Sequence, residues 1–168
     1  MTEPILDPGY WRRRIELAPH GEPHQAVFRC HLSKWKLIEA KHKEILASLI
    51  KPTDSILDIG CGWGRLLSLL PREWKGRYTG MDISPDFIAL ADKLHAGPDR
   101  EFHVGDMRLL DTVLLANKAS WAVMISIRPM VIRNLGEADW AAAERQIRRL
   151  ASKLLFLEYD ENDPGSVE

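Results

Sequence analysis

The sequence has few cysteines, no long apolar run and almost no net charge. Its two cysteines, Cys30 and Cys61, lack CxxC spacing, so neither a disulfide framework nor a metal site is predicted. No apolar stretch approaches the ~20 residues of a membrane span, and the first residues lack the pattern of a signal peptide. The formal net charge of −1 gives no general attraction to nucleic acid. These absences favour a cytoplasmic protein that binds no membrane, and they give no indication of nucleic-acid binding.

What is present is the composition of one folded domain. Hydrophobic residues make up 45% and charged residues 28% of the 168-residue chain, and a chain of about 150 residues buries roughly 70% of its unfolded surface. Residues 1–32 contain four prolines, so we interpret them as an irregular lead-in that covers a ligand, with a short helical segment near Tyr10 to Leu17. Residues 33–160 form the predicted main domain, and residues 161–168 an acidic tail.

Strands and helices are predicted to alternate through the main domain. The predicted strands cover residues 55–59, 77–83, 101–104, 121–127 and 153–159, and the predicted helices cover residues 33–50, 84–95, 109–116 and 137–151, with a further helix from the glycine loop to Leu70. Such alternation predicts an α/β fold with a parallel sheet and helices on both faces. Ligands bind such sheets beyond the carboxyl ends of the strands.

Three alternating glycines follow the first predicted strand in Asp58-Ile59-Gly60-Cys61-Gly62-Trp63-Gly64. Glycines here allow a tight turn and the close approach of a ligand to the backbone. A structural turn is the simplest alternative, and a dinucleotide loop is another. The dinucleotide fingerprint requires a sixth-position glycine where Arg65 stands. An acid at position 58 would also repel a pyrophosphate and attract a cationic amino group.

Two further acids close the second and third predicted strands. Asp82 lies about 20 residues beyond the glycine loop, where a carboxylate can accept hydrogen bonds from both hydroxyls of a ribose. Asp106 follows a glycine after the third strand, and acids after glycine are also common in ordinary turns. Each acid alone could be a helix-flanking or turn residue, whereas all three acids on successive strand ends predict one site.

The segment Ile-Leu-Asp-Ile-Gly-Cys-Gly-Trp-Gly-Arg-Leu-Leu resembles the first motif of the class I (Rossmann-like) S-adenosylmethionine-dependent methyltransferases. The resemblance implies S-adenosylmethionine as the cofactor, S-adenosylhomocysteine as the product, and methyl transfer as the activity. It also implies a set of cofactor-binding residues in the loop and at the strand ends: Asp58, Gly60, Cys61, Gly62, Asp82, Ile83, Asp106, Met107 and Ser126.

The resemblance assigns a part of the cofactor to each segment. The loop would pass beside the methionine part, with Asp58 near its ammonium group or supporting the loop. Asp82 would bind the ribose hydroxyls. Asp106 would accept a hydrogen bond from the adenine amino group, and the backbone amide of Met107 would meet the ring.

The expected sheet has about five strands in the order 3-2-1-4-5 and lacks the C-terminal β-hairpin usual in the family. The fifth strand, with Leu154 to Leu157, would then lie at an open edge, and apolar edges invite pairing. We therefore predict that the N-terminal segment or a second subunit, in a homodimer, covers this edge.

The sequence contains no clear motif for the residues that would bind or activate the methyl acceptor. The fourth strand ends in Ile-Ser-Ile-Arg-Pro, without the motifs of DNA base methyltransferases, so the catalytic residues and the acceptor stay unassigned. Arg128 and Arg133 could face an anionic substrate, although helix-surface positions are the simpler interpretation. His20, His24 and His31 are candidate bases in the lead-in.

Two other groups have simpler structural interpretations. His42 lies on the apolar stripe of the first long helix and is expected to be a packed core residue. Arg12 to Arg14, beside Tyr10 and Trp11, form either a solvated face or a nucleic-acid contact. The rivals to a methyltransferase are a silent cofactor-binding accessory module, and an enzyme that transfers another alkyl group from the same cofactor.

Overall fold

The computed structural model describes residues 7–18, 32–110 and 118–158. The helices are α1 (Pro8–Leu17), α2 (Leu32–Leu49), α3 (Pro85–His95), α4 (Arg128–Leu135) and α5 (Glu137–Leu150). The strands are β1 (Ile56–Ile59), β2 (Tyr78–Asp82), β3 (Arg100–Val104), β4 (Ala119–Ile125) and β5 (Ala151–Leu157). Two 3-10 turns cover Arg65–Ser68 and Met107–Leu109.

The strands form one parallel sheet with the order β3-β2-β1-β4-β5. This confirms the predicted five-strand α/β fold and its strand order. Within the described residues β5 is an edge of the sheet, and what covers that edge stays a prediction. The carboxyl ends of all five strands point the same way, so residues that follow them meet along one rim.

Each face of the sheet packs against helices. On one face, Leu57 and Ile59 of β1 pack in a cluster with Trp140, Ala143 and Ile147 of α5. On the other face, Ile56 packs with Leu46 of α2 and with apolar residues of β4 and β5. The alternation along β1 explains this division, because neighbouring side chains of a strand point to opposite faces.

The segment after the glycine loop differs from the prediction. A helix was predicted as far as Leu70, but only the four-residue 3-10 turn Arg65–Ser68 forms. Gly64 is left-handed, with φ of 79°, so regular helix cannot begin before it. Pro71 disfavours helical backbone at Leu70. Between these two residues there is too little chain for a regular helix.

Helix α4 was not predicted separately. The apolar run of β4 was extended to Ile127, but β4 ends at Ile125 and α4 begins at Arg128. The overlooked signals were Pro129 in the first helical turn and Gly136 at its end, both typical of helix boundaries. The start of α3 is confirmed: the Ser84 hydroxyl caps it by accepting from the Phe87 backbone N–H at 3.3 Å.

No helix in the three described ranges is both long and apolar enough to cross a bilayer. Of the helix predicted over residues 109–116, only Leu109 and Leu110 are described, and Leu109 belongs to a 3-10 turn. The acidic tail lies outside the described residues.

Candidate functional site

A cavity of about 160 Å³ lies at the carboxyl ends of the central strands. Seven of the nine predicted cofactor residues line it: Gly60, Gly62, Asp82, Ile83, Asp106, Met107 and Ser126. The remaining wall is mostly apolar, and helices α1, α3 and α4 contribute Trp11, Phe87, Met130 and Val131 to it. The structure thus brings together predicted cofactor residues that are up to 66 positions apart in the sequence, between Gly60 and Ser126.

The glycine loop is held against the end of β2. The backbone N–H groups of Gly60 and Cys61 donate to the Met81 carbonyl at 2.8 and 2.9 Å. A Cβ at Gly60, whose φ is +73°, would lie 2.3 Å from Ile127 Cδ1, so no larger residue fits there without a shift. A Cβ at Gly62 would meet no atom within 4 Å. Open space therefore lies beside the Gly62 backbone, where a ligand can approach it.

Asp82 fixes this loop and also faces the cavity. Its Oδ2 accepts from the Gly62 N–H at 2.9 Å, and its Oδ1 accepts from the Ser84 N–H at 2.9 Å. Burial raises the pKa of the Asp82 carboxyl, and the hydrogen bonds from backbone amides oppose that shift. Each carboxylate oxygen can accept a second hydrogen bond. Asp82 is thus pre-oriented to bind two hydroxyl groups.

Asp106 lies at the far end of the cavity, after β3. It begins the 3-10 turn and accepts from the Arg108 backbone N–H at 2.9 Å. The Arg108 guanidinium also pairs with it, and this hydrogen bonding lowers the pKa of the Asp106 carboxyl. Asp106 therefore caps a turn, which is the structural alternative raised by the sequence, and its ionised carboxylate belongs to a residue that also lines the cavity.

Helix α1 contributes Trp11 to the wall of the cavity. Trp11 is buried and packs against Phe87 of α3, with their ring centroids 6.0 Å apart. An ion pair joins Arg12 of α1 to Asp86 of α3 at 3.0 Å. Sequence reasoning did not assign Trp11 to the site. A signal for Trp11 was available in the sequence. Three arginines follow it on the same short helix, and since charged residues mark the solvent-facing side of a helix, a large aromatic residue on the other side is expected to be buried.

Asp58 and Cys61 do not line this cavity. Asp58 lies on the α2 face of β1, where the Tyr78 hydroxyl donates to its Oδ2 at 2.6 Å. Burial raises the pKa of Asp58 to about 7, against the opposing effect of that hydrogen bond. Burial likewise raises the pKa of the Cys61 thiol. Both residues border a second, smaller cavity of about 40 Å³ beneath the glycine loop.

Arg65 and His42 complete the polar interior beneath the loop. The guanidinium of Arg65 stacks on Trp35 of α2, 3.9 Å from the ring centroid, and lies 3.6 Å from a Glu39 oxygen. His42 is 1% exposed, which confirms that it is packed in the core. Burial, followed by the charge of Arg65, lowers the pKa of His42 to about 4, so the imidazole is neutral near pH 7.

Two residues with unpaired side-chain oxygens directly follow the paired strands β4 and β5. Ser126 has a φ of 58°, unusual for a residue other than glycine, and its buried hydroxyl has no hydrogen-bond partner. Both carboxylate oxygens of Glu158 are also buried without a hydrogen-bond partner. Burial raises the pKa of Glu158 to about 7, and the charge of Arg128 opposes that shift.

The other sequence candidates are not brought together. Arg133 is exposed on α4, and Arg12 and Arg13 are exposed on α1. Arg128 is half-buried and lies over the Phe156 ring, 5.6 Å from its centroid. His20, His24, His31 and Cys30 lie outside the described residues.

The chain is similar in fold to several solved structures. Magnesium protoporphyrin IX methyltransferase from Synechocystis PCC 6803, with bound SAH, is 19% identical with a TM-score of 0.59, over 88% of this chain and 64% of that one. A protein from Pyrococcus horikoshii OT3 is 23% identical with a TM-score of 0.58, over 73% and 57%. A TehB-like SAM-dependent methyltransferase from Corynebacterium glutamicum is 19% identical with a TM-score of 0.54, over 79% and 75%.

The sheet order and the loop-bearing cavity are those of a Rossmann-like domain. A family model described as a methyltransferase domain matches residues 56–153, more than half of the chain. The chain therefore belongs to the methyltransferase domain family, whose cofactor is S-adenosylmethionine. No curated protein matches it significantly. The chain spans less than two thirds of the Synechocystis methyltransferase.

Proposed function

We propose that the protein binds S-adenosylmethionine in the cavity at the strand ends and transfers its methyl group to an acceptor. The observation that carries this proposal is Asp82. Two backbone N–H groups orient its buried carboxylate, and both oxygens keep an accepting position for the ribose hydroxyls. The open space beside Gly62 supports the same assignment, because it leaves room for a ligand against the loop.

The remaining residues would hold the rest of the cofactor. The Asp106 carboxylate and the Met107 amide would meet the adenine, and Ile83, which also lines the cavity, would provide an apolar surface beside it. Gly60 and Gly62 would contact the methionine part. Asp58 and Cys61 would act from beneath the loop, since neither reaches the main cavity. Asp58 then supports the loop and supplies a carboxyl that a nearby cation would ionise.

The cofactor supplies a methyl group on a positively charged sulfur, which is an activated donor for in-line displacement. Holding donor and acceptor in line provides most of the acceleration in such a reaction. Around this position the chain supplies a largely apolar wall, including Ile127, Met130 and Val131. Such a wall excludes water, which would otherwise compete with the acceptor for the methyl group.

Calorimetry with three ligands tests the proposed cofactor. We expect micromolar binding of S-adenosylmethionine and S-adenosylhomocysteine, and binding of NAD weaker by at least ~100-fold. A pyrophosphate needs the N-terminus of a regular helix after the glycines, and here the loop leads only into a four-residue 3-10 turn. Tight NAD binding without binding of the other two ligands would overturn the proposal.

We further propose that α1, in the lead-in of residues 1–32, covers the bound cofactor. Replacing Trp11 with alanine should speed dissociation of S-adenosylmethionine about tenfold, because part of a buried indole contributes ~1.4 kcal/mol. Stopped-flow fluorescence with the cofactor measures this rate. The matched control is Leu17→Ala on the same helix, where the side chain is 82% exposed. Equal dissociation rates in the two variants would contradict the covering role.

The cytoplasmic location and the homodimer through the β5 edge stay predictions. The comparisons leave the acceptor, whether a small molecule or a macromolecule, unassigned.

A further inference from the structure

The ends of β4 and β5 lie beyond the part of the cavity that the proposed cofactor assignment uses. Asp106 and Asp82 follow β3 and β2, and the glycine loop follows β1. If the adenosine lies over β3 and β2 and the methionine part over β1, the transferred methyl group points toward β4. The inference below rests on that proposed function.

At this end of the rim, Ser126 and Glu158 directly follow two paired strands. Ile125 pairs with Leu157 in the parallel register, and Ser126 and Glu158 are the next residues after β4 and β5. The Ser126 N–H donates to the Leu157 carbonyl at 2.9 Å and fixes this arrangement. Ser126 lines the cavity, and Glu158 lies one strand farther from the glycine loop.

Ser126 and Glu158 are half-buried residues, but their side-chain oxygens are buried without the hydrogen bonds that such groups normally make. The Ser126 hydroxyl and both Glu158 oxygens have no hydrogen-bond partner among the residues described. Leaving buried polar groups unpaired costs stability, so such groups in native proteins call for an explanation. The left-handed backbone of Ser126 adds local strain of the kind found at functional sites. A polar ligand between these groups would satisfy all three atoms.

We propose that Glu158 faces the transferred methyl group, binds the methyl acceptor together with the Ser126 hydroxyl, and takes the proton that the acceptor loses. The acceptor is then a neutral molecule with an O–H or N–H group. Its oxygen or nitrogen forms the new bond to the methyl carbon, and the carbon–sulfur bond breaks with its electron pair left on sulfur. The proton passes to a Glu158 oxygen, so the positive charge lost from sulfur is balanced by the neutralised carboxylate.

The charged groups around Glu158 fit a proton acceptor that works near neutral pH. Arg128 approaches from α4 and favours the carboxylate, while His42 from α2 lies against the Glu158 backbone and is neutral near pH 7. Burial outweighs Arg128, and the resulting pKa of about 7 suits a general base at physiological pH. The apolar wall formed by Ile127 and Met130 favours an acceptor with an apolar body.

Sinefungin provides a test that requires no identified acceptor. This analogue of S-adenosylmethionine carries an amino-bearing carbon in place of the methylsulfonium, so it presents an ammonium group at the position of the methyl. We expect wild-type protein to bind sinefungin more tightly than S-adenosylhomocysteine. Glu158→Gln should reduce this preference about tenfold, as loss of one charged hydrogen bond predicts, and should leave S-adenosylhomocysteine affinity within about twofold.

Calorimetry at pH 8 and pH 6 completes the test. The wild-type preference should shrink at pH 6, below the pKa of about 7 at which Glu158 takes up a proton, and it should not change with pH in Glu158→Gln. The control is Glu44→Gln, an exposed residue of α2. An unchanged preference in Glu158→Gln, or an equal loss of both ligands, would overturn the proposal. If wild-type protein binds neither sinefungin nor S-adenosylhomocysteine, the proposed function itself is overturned.

Discussion

Replacing Asp82 with alanine should weaken S-adenosylmethionine binding at least ~100-fold, because hydrogen bonds to a charged group each contribute about 1.5–3 kcal/mol and two ribose hydroxyls would lose theirs. The same change removes the acceptor for the Gly62 and Ser84 N–H groups, so the loop would also lose its orientation. Calorimetry with S-adenosylmethionine measures the loss of affinity. Chemical denaturation confirms that the variant is folded at the assay temperature.

The variant Asp82→Asn tests whether the two hydrogen-bond-accepting oxygens of Asp82, rather than the size of its side chain, are needed for cofactor binding. An asparagine keeps the shape but has only one oxygen, so its NH₂ group would face either the Gly62 or the Ser84 N–H group. We therefore expect Asp82→Asn to lose nearly as much affinity as Asp82→Ala. Asp92→Ala, an exposed acid on α3, serves as the matched control and should bind as wild type. A folded Asp82→Asn with wild-type affinity would show that Asp82 does not bind the cofactor.

The parallel sheet could be predicted because its signals are local. Each strand is a short apolar run, and the alternation with helices predicts a parallel sheet with right-handed connections. The strand order itself was implied by the resemblance to the family. The glycine loop and Asp82 follow strands directly, so predicting the strands also placed these residues at the rim. The failure after Gly64 has the same origin: an apolar run predicted a helix, but Gly64 and Pro71 limit it to a 3-10 turn.

The parts of the site that escaped prediction depend on contacts between distant segments. Trp11 reaches the cavity only because α1 packs on α3, and no local pattern encodes that contact. Glu158 is an ordinary acid after an apolar strand, and its significance comes from burial beside Ser126. Asp58 lies near the end of β1, as predicted, but strand alternation turns it toward α2 rather than into the main cavity.

That buried position makes Asp58 the source of a large pH effect on stability. Burial raises its pKa to about 7 in the folded protein, from an ordinary value of 3.8 for an aspartate side chain. Between these values the folded protein keeps the proton and the unfolded chain loses it, so stability falls by ~1.4 kcal/mol per pH unit as pH rises. Asp58→Asn stays neutral at every pH, and its amide oxygen can still accept from Tyr78. We expect the variant to gain stability relative to wild type as pH rises, by ~4 kcal/mol in total.

Urea denaturation of both proteins at pH 4.5, 5.5, 6.5 and 7.5 measures this gain as a difference between their free energies of unfolding. The difference isolates Asp58, because Glu158 gives a slope of the same sign and His42 one of the opposite sign in both proteins. Asp92→Asn should show no such trend, since that side chain is exposed. A difference that stays constant with pH would mean that Asp58 is ionised in the folded protein. When Asp58 is protonated in the folded protein, a sulfonium or ammonium group bound near the loop would favour release of that proton. Because release is easier at higher pH, cofactor affinity would then increase as pH rises toward 7.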